Sequence, residues 1–200
     1  MKTFALFSSL AVLAAFAAPA SAITPVHRQL YNVDAARVCT SVAAQGGDLG
    51  DGLKHCNTAL SDPNMTKRAA LLVNRGIIQA RMNDRAAALN DYNAALAIDP
   101  RMGDAYVNRG ALYVAEKNHA AAQADIAQAL QLGAHNLHVA YYARAVMEDE
   151  AHNYPAAYQD YKKALELKPD YAPAARELSR FKVVDRTASA STGRPTDLVN

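Results

Sequence analysis

Between Leu72 and Pro169 the apolar positions alternate between two textures. One is a sparse stripe at helical spacing, as in Leu72, Gly76 and Gln79, or in Tyr106, Gly110 and Tyr113. The other is a dense, Ala-rich run, seen at Ala86 to Ile98, His119 to Leu132 and Tyr154 to Leu167. Stripe and run together predict a pair of helices. A capping residue precedes each run: Asp84, Asn118 and Asn153, eight positions ahead of Tyr92, Ile126 and Tyr161. A side-chain acceptor at that place satisfies the open N–H groups of the second helix. Pro155 falls in a first turn, where its missing N–H costs little.

The same block is written three times, over residues 73–100, 107–132 and 142–169. Arg75 and Arg109 are 34 positions apart, and Arg109 and Arg144 are 35 apart. A period of this length means stacked supersecondary units rather than one ordinary core. The predicted fold is all-α, a solenoid of antiparallel helix hairpins over 66–102, 103–137 and 138–171. The same ruler finds a degenerate unit at 34–64. Asp48 lies eight positions before Cys56, and Ala59-Leu60 answers Ala95-Leu96, Ala129-Leu130 and Ala164-Leu165. In that unit Asp34 is expected to cap a short helix from Ala35 to Ala44, which Gln45-Gly46-Gly47 ends. Gly50 and Gly52 weaken the next helix by about 1 kcal/mol each relative to Ala. Residues 23–33 read as a polar lead-in. Residues 172–184 read as the helix that covers the last apolar face of the stack. Residues 185–200 lack periodicity and are rich in small and polar residues, the composition of a disordered tail.

The first 22 residues stand apart. Lys2 is followed by an apolar stretch from Phe4 to Ala18, interrupted by Ser8 and Ser9, and then by Ala20-Ser21-Ala22. That is the pattern of a secretory signal peptide cleaved after Ala22. The apolar run is short for a bilayer span. No later stretch is long and apolar enough for one. The formal charge is +2, and without Lys2 it is +1, too weak a field to attract nucleic acid or anionic lipid. The expected setting is an exported, oxidising compartment, a bacterial periplasm or the medium. There, the two Cys residues, Cys39 and Cys56, predict a disulfide. Closing a loop of about 17 residues is worth about 3 kcal/mol in the loop-entropy model. On the repeat register, Cys39 takes the place of Arg75 and Cys56 the place of Tyr92, so the two face each other across a helix pair.

These units resemble the tetratricopeptide repeat. The resemblance rests on Leu72, Gly76, Ala88, Tyr92, Ala95 and Pro100, on Tyr106, Gly110, Tyr113, Ala122, Ile126 and Ala129, and on Tyr141, Ala145, Ala157, Tyr161, Ala164 and Pro169. Gln79 and Glu148 replace the usual aromatic, and Ala134 stands where Pro is expected. The resemblance covers about residues 34–183 and implies a right-handed superhelix with a concave groove. It implies that the groove is lined by Val73, Asn74 and Ile77, then Val107, Asn108 and Ala111, then Tyr142, Ala143 and Val146. Some members use such positions as a clamp for a peptide carboxylate, built from Lys, Arg and Asn. Here Asn74 and Asn108 are present, but Val73, Val107, Val139 and Ala143 occupy the basic places. A mostly apolar groove with two Asn suits a peptide segment of another protein.

The remaining candidates for chemistry are few. Arg75, Arg109 and Arg144 recur 16 positions before Asp91, Asp125 and Asp160. The offset joins the two helices of one hairpin, and the residue types suit bidentate ion pairs. An anion-binding Arg ladder is the functional alternative. His135 and His138 have metal-ligand spacing without a third ligand, and His55 adjoins Cys56. The glycine-rich segment Gly46 to Gly52 lacks the Gly-Lys-Ser/Thr ending and preceding strand of a phosphate loop. Its Asp residues lack calcium-loop spacing. No hydrolase or metalloprotease motif occurs. The expectation is a non-catalytic interaction scaffold that needs no cofactor or metal. The alternatives are a metal-binding or sensor role through His135/His138 or Cys39/Cys56, and a self-associating subunit whose groove takes its own tail, Thr187 to Asn200.

Overall fold

The computed structural model describes residues 25–181. The segment expected to be a signal peptide, residues 1–22, and the tail expected at residues 185–200 lie outside the described residues. Within them the chain forms nine helices and no strand. These are α1 (Pro25–Gln45), α2 (Leu49–Leu60), α3 (Arg68–Arg81), α4 (Arg85–Ile98), α5 (Gly103–Ala115), α6 (His119–Leu132), α7 (Leu137–Glu150), α8 (Tyr154–Leu167) and α9 (Ala172–Leu178). The fold is the right-handed α-solenoid of stacked hairpins.

One expectation is corrected at the front. Asp34 does not cap a short helix but lies inside α1, which already begins at Pro25. Nothing between Val26 and Ala44 breaks a helix, and the early turns gain tertiary partners. Asn32 is buried and donates to Asp62 Oδ2 at 3.4 Å, and Asp34 pairs with Arg37 one turn on. The other caps are mostly local. Asp48 accepts from the Asp51 N–H, Asp84 from Ala87 and Asn118 from Ala121. Asn153 precedes α8, but its side chain donates to Glu148 instead. Asn83, Lys117 and His152 adopt left-handed backbone (φ 63°, 61° and 60°) at the same place in each strong repeat.

Each hairpin packs internally, and α1, α3, α5 and α7 also pack on one another in series. The even helices mainly touch their odd neighbours. The stack is therefore tighter along its odd-helix side, which makes that side the inner, concave one. The core repeats with the sequence. Tyr92, Ile126 and Tyr161 are fully buried at one register position, with Ala88, Ala122 and Ala157 buried one turn earlier on the same helix faces. Gly76 makes room for Tyr92: a Cβ there would lie 2.5 Å from the ring. At the far end Phe181 closes over Tyr154, Tyr158 and Tyr161, with ring centroids 6.0–6.4 Å away. The capping helix α9 is short, and Phe181 beyond it completes the cover.

The same end carries a titrating group. His138 meets Tyr171 edge-on at 4.9 Å. Burial, helped by the Lys168 ammonium, holds its pKa below the ordinary 6.5, while Asp170 pulls partly back. Below about pH 6.5 the unfolded chain then binds more protons here than the folded one, so stability falls as pH drops through the lowered value. His138→Gln is expected to flatten the stability curve between about pH 7 and pH 5, measured by urea denaturation at each pH.

Candidate functional site: the odd-helix groove

The frame behind the groove is polar and fully engaged. Arg75 grips Asp91 with Nε and Nη2 at 2.7 Å each. Arg109 grips Asp125 at 2.7 and 2.8 Å, and Arg144 grips Asp160 at 2.6 and 2.8 Å. All three Asp residues are buried. Hydrogen bonding to its Asp raises each Arg pKa, against an opposing effect of burial. The third guanidinium nitrogen reaches the preceding hairpin. Arg75 Nη1 donates to Asn57 Oδ1 at 2.8 Å, and Arg109 Nη1 to Asn93 Oδ1 at 2.5 Å. Ala127 occupies that place before the last repeat, and the Arg144 side chain is correspondingly more exposed, 38% against 18% for Arg109. All three guanidinium groups thus fasten helix to helix, and those of Arg75 and Arg109 also fasten hairpin to hairpin, instead of facing a free anion. Asn57 and Asn93 escaped sequence reasoning, although both directly follow the Cys56/Tyr92 register position.

Cys39 and Cys56 are joined, with Cα atoms 4.8 Å apart, inside the range a disulfide requires. Both are fully buried beside Leu71, Ile78 and Tyr92. His135 and His138 have separate employment. The His135 backbone N–H donates to Asp104 Oδ1 at 2.8 Å, and its ring Nδ1 lies 3.0 Å from Oδ2, tying the α6–α7 connection to α5. His138 belongs to the Tyr171 contact. Among the described residues no cluster of three or more His, Cys, Asp or Glu is arranged to hold a metal ion.

Two clefts open on the odd-helix side. The larger, about 630 Å³, lies between α1 and α3 and is closed at one end by the loop Met65–Lys67. The smaller, about 330 Å³, lies between α3 and α5. Asn74 lines the first, and Ile77, Asn108 and Ala111 line the second. The two amides each have a donor engaged: Asn74 Nδ2 donates to Thr40 Oγ1 at 3.0 Å, and Asn108 Nδ2 to the Asp104 carbonyl at 2.7 Å. Their oxygens are suited to accept backbone N–H groups.

Val73, Val107 and Ala143 are corrected: they are buried, at 5%, 0% and 3% exposure, and line no groove. The reason is rotational. One residue along a helix turns the side chain by about 100°, so Val73 and Val107, each just before a groove Asn, point into the core. Ala143 holds the Asn position itself, and its small methyl is covered within the cluster of Val107 and Ala140. Tyr142 and Val146 are half-buried. Tyr142 packs on Tyr161 and Tyr171, at 5.8 and 5.5 Å, and so serves the cap more than the groove. Missed at the outset were Val33, Ala36, Arg37, Thr40 and Ala44, the α1 wall of the larger cleft. Their spacing is helical, and a longer α1 would have revealed them.

The geometry defines a helical-repeat solenoid with an open inner face. The tetratricopeptide repeat family matches over residues 69–102 and 103–136. Residues 69–136 therefore carry two tetratricopeptide repeats. No curated protein matches it. Solved structures do. One is a tetratricopeptide repeat protein from Parabacteroides merdae ATCC 43184, 25% identical with a TM-score of 0.54. That match covers 72% of this chain and 56% of the other, so the chain spans just over half of that protein. PilW, a widely conserved type IV pilus biogenesis factor, is similar at 21% identity and TM-score 0.61, over 76% of this chain and 68% of PilW. MamA AMB-1 is similar at 16% identity and TM-score 0.54, over 83% of this chain and 85% of MamA. The last two likenesses concern the fold alone.

Proposed function

We propose that the protein is a non-catalytic interaction scaffold that holds a peptide segment of another protein along its odd-helix face. The observation that supports this most is the pair of adjoining clefts with an apolar floor, edged by the carbonyl oxygens of Asn74 and Asn108. An extended chain can place apolar side chains in such clefts while its backbone N–H groups meet the amide oxygens. The repeats supply a rigid frame, since their polar groups are spent on one another.

The test is a displayed random-peptide library panned on the full chain. Ala111→Arg is expected to weaken the selected peptides at least about tenfold, a loss on the scale of one interface anchor, with helicity unchanged by circular dichroism. Unaltered affinity would move the site off this face. We also propose that the chain works in an exported compartment, a bacterial periplasm or the medium. The support is the leader pattern ending in Ala20-Ser21-Ala22 together with the Cys39–Cys56 bond. Intact mass of the protein from the periplasmic fraction is expected to show a chain beginning at Ile23 and lacking two hydrogens. Retention of Met1 in the cytoplasmic fraction would contradict this.

A further inference from the structure

The first hairpin is fastened differently from the three that follow. At the repeat positions of Arg75, Asp91 and Tyr92 it carries Cys39, His55 and Cys56. It has neither the buried ion pair nor the aromatic plug. Thr40 stands where Gly76 makes room for Tyr92, so a ring at position 56 would meet a side chain. The buried disulfide takes over both duties. One turn away α1 and α2 nearly touch: a Cβ on Gly52 would lie 2.5 Å from Val42 Cγ1. The polar links from α1 to α3 are exposed ones, Asn74 to Thr40 and Arg81 Nη1 to the Val42 carbonyl at 3.0 Å. Yet α1 is an entire wall of the larger cleft.

We propose that this cleft is a redox-gated docking site, which accepts its peptide only while the Cys39–Cys56 bond holds α1 in place. The inference rests on the peptide-docking reading of the odd-helix face and adds its regulation. A dithiol reductant supplies two electrons and two protons. It is oxidised to its own disulfide, the Cys39–Cys56 S–S bond breaks, and each sulfur becomes a thiol. Hairpin one then loses its covalent tie and keeps only the Asn32–Asp62 hydrogen bond and the packing of small side chains such as Ala35 and Ala43, so α1 swings off α3, while α3 to α8 keep their ion pairs and plugs. Both sulfurs are fully buried, so the reductant acts through local opening of this hairpin. A bound peptide that bridges α1 and α3 therefore slows the reduction. The cleft also states what it takes. Its floor is apolar, from Ala36, Met65 and Leu71, its rim carries the exposed Val33, Lys67 and an Arg37 paired with Asp34, and no carboxylate lines it. The fitting segment has an apolar anchor beside an acidic residue.

The experiment compares the full chain, oxidised and after dithiothreitol, by hydrogen exchange read with mass spectrometry. On reduction, amides of residues 36–60 are expected to exchange at least about 100-fold faster, with α5 to α8 unchanged. Unchanged protection of α1, or a uniform loss from α1 to α8, would overturn the gate. A second arm pans a library of Leu-Asp and Leu-Glu peptides on the oxidised chain and measures the selected peptide on both forms. Affinity that falls at least tenfold on reduction supports the gate. Equal affinity overturns the gate and leaves docking intact, whereas a library that yields no binder overturns the docking reading itself.

Discussion

Asp125→Ala is expected to destabilise the protein by about 3–5 kcal/mol, the cost of breaking a buried ion pair from one side. Asp125 is 5% exposed and accepts both Nε and Nη2 of Arg109. Without it, the guanidinium keeps only Asn93 and the faces of Tyr106 and Tyr113, 5.6 and 6.0 Å from the ring centroids. An unpaired cation would then sit in the middle of the stack, where water reaches it poorly. Urea denaturation of the single variant measures the loss. Arg109→Leu combined with Asp125→Leu is expected to recover most of it, because two apolar side chains remove the stranded charge. If the double variant falls as far as the single, the pair contributes more than the penalty of a lone charge. Asp160→Ala is expected to cost less, since the Arg144 side chain is 38% exposed and can be hydrated in place.

The second large effect concerns the staple. Cys39→Ser with Cys56→Ser is expected to cost about 3 kcal/mol, from the freedom returned to the unfolded loop. The loss should fall on the first hairpin, which has no ion pair of its own. Gly52 sharpens the point. On helix propensity alone, Gly52→Ala would gain about 1 kcal/mol. Its Cβ would, however, stand 2.5 Å from Val42 Cγ1 and 2.9 Å from Val42 Cβ, within a pair of helices already tied at 4.8 Å. The net result is expected to be a destabilisation of about 1–3 kcal/mol from overpacking. Gly50→Ala meets only Asp48 Oδ1, at 3.3 Å, the oxygen that caps α2, so its helix-propensity gain is offset by pressure on the cap and the net change is expected to stay within about 0.5 kcal/mol. Thermal denaturation of the pair separates the two glycines, which the sequence presents as equals.

Much of the fold was legible because its causes are local. A stripe at helical spacing, a capping Asp or Asn and a Gly stop act within a few residues, and their recurrence after 34 or 35 positions announced the stack. Even some distant partners were written in the chain. The offset of 16 between Arg and Asp follows from hairpin length, which repeats, and so is visible without coordinates. What the sequence concealed depends on how each helix is rotated about its own axis. Periodicity sets the angle between Val107 and Asn108 but not which of them faces the neighbour. Only the packing of α5 on α6 and α7 turned Val107 inward and left Ala111 at the open cleft beside α3. The links from Arg75 to Asn57 and from Arg109 to Asn93 likewise cross from one hairpin to the next, and depend on how the hairpins are set against each other. The early turns of α1 formed because Asn32 found Asp62 beyond α2, a partner no local signal names. Alone, then, the sequence determined the helices, their pairing and the frame that holds them. The tertiary structure decided which residues that frame leaves facing an open cleft, because exposure belongs to the packed surfaces together.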